Sequence, residues 1–151
     1  MPMIKKANGE IKPYRILILT LLIVSIGILI LQDYSRLTKD FSKLISFLTK
    51  TRLKAMQDDV LLITHFLGKN VIVNDNNGNV LEFLHVSTLH KVNYDTKLGK
   101  KMIVFSGRGT SPYNNRVHGG DMTLKSWFGF RKNIAVNCTG LVKEGLYPED
   151  D

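Results

Sequence analysis

From Ile16 to Leu31 the chain runs sixteen residues without a charge, then passes straight into a polar, amphipathic stretch. No glycine or proline stands between Gly27 and Gly68. Nothing local therefore obliges a helix to stop where the apolar run ends. The expectation is one long N-terminal helix. Its first half suits lipid, its second half suits water, and the second half carries the rest of the chain.

Sixteen helical residues rise about 24 Å, a little less than the roughly 30 Å of a hydrocarbon core. Tyr14 and Tyr34 flank the run at headgroup level, and Arg15 can extend its guanidinium outward. Lys5, Lys6, Lys12 and Arg15 precede the run, and Asp33 follows it at once. Basic residues stay on the cytoplasmic side, so the N-terminus is expected in the cytoplasm and the remainder across the membrane. A cleaved secretory signal has a similarly short apolar core. However, Gln32-Asp33-Tyr34 offers no small-x-small cleavage site, which favours a retained anchor. A core helix of a soluble domain is the third reading, and the remaining ninety or so residues are too few to surround it.

The organisation expected is a basic cytoplasmic segment at 1–15, a transmembrane helix at 16–31 and an amphipathic continuation at 32–56. A β-rich extracytoplasmic head at 57–151 completes it. The chain has 151 residues and a net charge of +8. That charge is spread as +3 over residues 1–15, +2 over 33–59 and +3 over 60–151. The head is thus only mildly basic, and membrane topology accounts for much of the excess that would otherwise suggest nucleic acid. The single cysteine, Cys138, excludes an internal disulfide and reads as a small buried hydrophobe.

In the continuation, Leu37, Phe41, Leu44, Leu48, Thr51 and Ala55 form one stripe at gaps of four and three, widened by Ile45. Arg36, Lys39, Asp40, Lys43, Lys50, Arg52 and Lys54 stand between them. Such a stripe lies on a sheet of the head. Its upper part can also pack against other copies of the helix.

Beyond Gln57-Asp58-Asp59 the pattern becomes short β runs with turns between them. Val60–Leu67, Val71–Val73, Val80–Leu89, Met102–Phe105, Met122–Phe128, Asn133–Cys138 and Leu141–Lys143 are the expected strands. Asn77-Gly78 marks a hairpin, because both residues tolerate positive φ. Residues 106–121 read as one long loop and as the variable contact surface. The fold class is α+β: a long transmembrane-to-amphipathic helix packed on a small antiparallel sheet or sandwich.

No catalytic constellation is visible, and no enzyme activity, cofactor or metal is expected. His85 and His90 are five apart, which on one strand points them to opposite faces. Together with His65 and His118 they offer no ligand spacing. Gly107-Arg108-Gly109 lacks the Gly-Lys-Ser/Thr continuation of a phosphate loop and reads as an ordinary loop. Asn137-Cys138-Thr139 matches a glycosylation acceptor, but within a strand-and-turn pattern the match is coincidental. Trp127-Phe128-Gly129-Phe130-Arg131-Lys132 can stack bases and neutralise phosphates. It can equally be two packed aromatics and a solvated turn.

Several segments together resemble a known family. Leu21-Leu22-Ile23-Val24-Ser25-Ile26-Gly27-Ile28-Leu29 looks like the membrane signature of type IV pilin-like proteins, and Tyr34-Ser35-Arg36-Leu37 like the helix leaving the membrane. Val104-Phe105-Ser106-Gly107-Arg108-Gly109 looks like a family strand end. Gly120-Asp121-Met122-Thr123-Leu124 and Ile134-Ala135-Val136-Asn137-Cys138-Thr139-Gly140-Leu141-Val142 look like its two closing strands. The whole resembles a minor pseudopilin of the GspH/FimT kind, or its Gram-positive competence relatives. That resemblance implies a pilin-like fold and a structural subunit of a pilus, secretion or competence filament. It implies the membrane and other such subunits as partners. Assembly would run through Leu21, Leu22, Ile23, Val24, Gly27, Ile28, Leu29, Leu37, Phe41, Leu44 and Leu48.

The family usually shows Gly or Ala then Phe at a prepilin cleavage site, with an acid soon after. Here Lys12-Pro13-Tyr14-Arg15 precedes the run, and no acid lies between Arg15 and Leu31. An anchored accessory protein that is never processed is one alternative. The other is a DNA-binding head, on Arg108, Arg116, Lys125, Arg131, Lys132 and Lys143. FimT-like receptors carry Gly-Arg-x-Arg near the end, where this chain has Gly140-Leu141-Val142-Lys143.

Overall fold

The structure, a computed structural model, describes residues 13–94, 102–108, 112–113, 116–117, 120–137 and 139–145. Helix α1 spans Pro13–Gln57 and remains helical through Asp33. Proline at the first helical position costs no hydrogen bond, and Lys54 in the last turn complements the helix dipole. The helix ends where Asp59 adopts a φ of 49° and the Val60 N–H reaches back to the Ala55 carbonyl at 3.1 Å. That is a Schellman closure with aspartate in the place glycine usually takes.

The chain forms two compact units, Met1–Gln32 and Asp33–Asp151. In the first, the described part is the apolar start of α1. In the second, ten strands follow: β1 Leu62–Leu67, β2 Asn70–Asn74, β3 Val80–His85, β4 Leu89–Tyr94 and β5 Met102–Phe105, then β6 Pro112–Tyr113, β7 Arg116–Val117, β8 Gly120–Lys125, β9 Arg131–Val136 and β10 Val142–Glu144. One sheet has the order β3-β2-β1-β5 and the other β10-β9-β8-β4, with every pairing antiparallel.

All six stripe residues, Leu37, Phe41, Leu44, Leu48, Thr51 and Ala55, are buried. The apolar members share one core with Leu62, Phe66, Val71, Val73 and Phe105 of the first sheet and Met122, Leu124, Ile134 and Val136 of the second. At about 1.5–3 kcal/mol for each large buried side chain, this stripe is a principal hydrophobic contribution to the head. The α+β, pilin-like class is therefore the fold observed.

Two expectations require correction. Val80–Leu89 is not one strand. It breaks at Val86-Ser87-Thr88, and β4 then joins the other sheet. At the break the chain meets Asp40, which is buried. Its Oδ2 accepts the Ser87 hydroxyl at 2.7 Å, the Thr88 N–H at 3.0 Å and the Thr88 hydroxyl at 3.0 Å. The 106–121 segment is not unbroken loop either: β6 and β7 pair over two rungs, and β8 already begins at Gly120. The Asn77-Gly78 turn forms as expected, with Gly78 at φ 86°.

Candidate functional site

The first candidate surface is the apolar start of α1. Leu21, Leu22, Ile23, Val24, Ile28 and Leu29 are all exposed, and a Cβ at Gly27 would meet open space. By length and composition this helix can cross a membrane, and its most apolar window has no buried residue. Leu37, Phe41, Leu44 and Leu48 differ. Their stripe is already covered by the chain's own strands.

The second surface is the turn between β8 and β9. It closes through Ser126 N–H to the Phe130 carbonyl at 2.9 Å and Gly129 N–H to the Ser126 carbonyl at 3.2 Å. Gly129 has a φ of 90°, which an L side chain rarely adopts. Asp33 holds the turn to the helix. Its Oδ2 accepts the Phe128 N–H at 3.0 Å and its Oδ1 the Trp127 N–H at 3.3 Å. These contacts hold the Asp33 carboxyl below its ordinary pKa, the Phe128 N–H foremost, against partial desolvation, with help from the Ser126 hydroxyl and the Arg36 charge. Tyr34 meets Phe130 edge-on at 5.4 Å between ring centroids. Trp127 is 93 % exposed, so it is not a packed aromatic; Phe130 packs edge-on against Tyr34.

Of the cations proposed for nucleic acid, those described lie on both sheets. Lys125 and Arg131 face each other on the last rung before the turn. Lys132 lies 4.5 Å over the Phe41 ring and 3.9 Å from Glu144. Lys143 is on β10 at the sheet edge, and Arg108 follows β5 in the other sheet. The side chain of Arg116 lies outside the described residues, as do His118, Cys138 and Gly109. Gly107 sits against the Asp59 carboxylate and 3.1 Å, from a built Cβ, to its Cα. A carboxylate there opposes phosphate binding.

His85 and His90 lie on strands of different sheets, so the single-strand argument about their faces does not apply. His85 Nδ1 is 2.8 Å from Asn70 Oδ1. Among the described residues no group of three metal-ligating side chains occurs. Asn137 Oδ1 accepts from Thr139 N–H at 3.1 Å, Thr139 Oγ1 at 2.7 Å and Leu141 N–H at 2.8 Å. The residue is a turn-former, which accounts for it without glycosylation.

No family model and no curated protein matches the chain. Among solved structures it is similar to the type IV minor pilin FimU of Pseudomonas aeruginosa strain PAO1, with a TM-score of 0.54 and 14 % identity. The match covers 72 % of this chain and 92 % of that one. At that identity the likeness establishes the pilin-like fold.

Proposed function

We propose that this chain is a minor-pilin-like structural subunit, anchored in a membrane by residues 16–31. It would assemble through its N-terminal helix into a pilus, secretion or competence filament of the pseudopilin kind. The N-terminus would be cytoplasmic and the head extracytoplasmic, as the basic residues before the run and Asp33 after it argue. One observation carries the reading: a single helix whose second half is the core of a two-sheet head and whose first half is bare and apolar. In water that first half is untenable, and lipid or neighbouring apolar helices must cover it.

Packing such helices in a filament removes apolar area at about 25 cal/mol per Å² relative to water. Lipid hides the same area, so the net gain on leaving the bilayer comes from close packing, for which Gly27 leaves room. The role is structural, with the head supplying specific contacts. The mature N-terminus, measured by mass spectrometry on protein from the native membrane, tests this. Trimming just before the apolar run supports a processed filament subunit. A chain beginning at Met1 or Pro2 supports the unprocessed accessory protein.

A further inference from the structure

Three large aromatics crowd the β8–β9 turn and all keep exposed surface: Trp127 at 93 %, Phe128 at 47 % and Phe130 at 41 %. The turn is nevertheless well fastened. Its own hydrogen bonds close it, and Asp33 accepts two of its backbone N–H groups. The rings are thus held outward rather than left loose. Apolar surface fixed in that way marks a contact.

The place of the turn suggests which contact. Asp33 is the second residue after Leu31, where the uncharged run ends. The turn is therefore fastened to the chain at the end of the apolar run. Phe130 also meets Tyr34, one residue further on.

We propose that Trp127-Phe128-Gly129-Phe130 is a lipid-contacting tip that enters the interfacial layer of the bilayer where the apolar helix leaves it. This rests on reading residues 16–31 as a membrane anchor. Tryptophan suits the interface because its ring is apolar while its indole N–H still finds water or headgroups. Phe128, its ring 6.4 Å from that of Trp127, extends the apolar face. Lys125 and Arg131 on the adjoining rung suit lipid phosphates. Nucleic acid fits less well, because Arg108 and Lys143 lie elsewhere and Lys132 is engaged with Phe41 and Glu144.

Trp127 is the single tryptophan, so its emission reports the tip alone. The experiment uses the full chain in vesicles of phosphatidylcholine and phosphatidylglycerol, with and without lipids brominated near the glycerol level. Expected are a blue-shifted emission relative to the denatured chain, quenching by the bromines and reduced access for acrylamide. Asp33→Ala should lower the bromine quenching while the chain still floats with the vesicles. A chain that floats, but whose Trp127 is open to acrylamide and blind to the bromines, would overturn the lipid tip and leave the anchor standing. Quenching by single-stranded DNA without any response to lipid would reassign the tip to nucleic acid. A chain that does not float with vesicles would remove the anchor, and the tip with it.

Discussion

Asp40 and Asp33 are both helix carboxylates, yet they do different work. Asp40 is buried and collects three donors from Ser87 and Thr88. Asp40→Ala would leave those donors unpaired and cost roughly 2–3 kcal/mol, whereas Asp40→Asn keeps an acceptor and should cost less; denaturant unfolding in detergent measures both. Asp33 is half-buried, with its pKa lowered chiefly by the Phe128 N–H. A carboxyl with a depressed folded pKa contributes stability above its unfolded value of about 3.9 and loses it as pH falls through the folded value. Trp127 emission should therefore change in the acid range, and Asp33→Asn should flatten that change. An identical titration in the variant would exclude Asp33 as its source. Thr64 Oγ1, buried on β1, has no hydrogen-bond partner among the described residues. Thr64→Val should be neutral or stabilising by about 1 kcal/mol in the same unfolding measurement.

Among elements, α1 is the one on which the rest depends. Leu44 and Leu48 are fully buried in the shared core. Either one changed to Ala should cost about 2–5 kcal/mol in head stability, read by thermal or denaturant unfolding, without releasing the chain from membranes. Leu22→Asp should do the reverse: a carboxylate at mid-span costs about 2.5–3.5 kcal/mol for insertion, so alkaline extraction should release the chain while the head stays folded. This helix was legible in the sequence because its apolar spacing is periodic and no breaker interrupts it. The Asn77-Gly78 turn was legible too, because positive φ is a local demand. The break at Val86-Ser87-Thr88 was not. The carboxylate that binds Ser87 and Thr88 there lies 47 and 48 residues earlier, beyond the reach of any local pattern. Nor was the exposure of Trp127, since an aromatic in such a stretch can also pack, and the Asp33 carboxylate that accepts the Trp127 and Phe128 N–H groups lies 94 and 95 residues earlier.

For the molecule as a whole, one helix carries two kinds of surface. Its second half is satisfied within the chain by both sheets, and its first half is not. On that division the proposed role rests: a bilayer first, and then other apolar helices, would cover the first half. The similarity to a minor pilin concerns the fold, and the exposed helix supplies the physical reason for a filament role. A photo-reactive side chain in place of Leu22, in cells that contain the native machine, examines that role at its source. The expected product is an adduct mapped by mass spectrometry to the N-terminal apolar helix of another pilin-like subunit. Adducts to lipid alone, in cells making intact filaments, would contradict it.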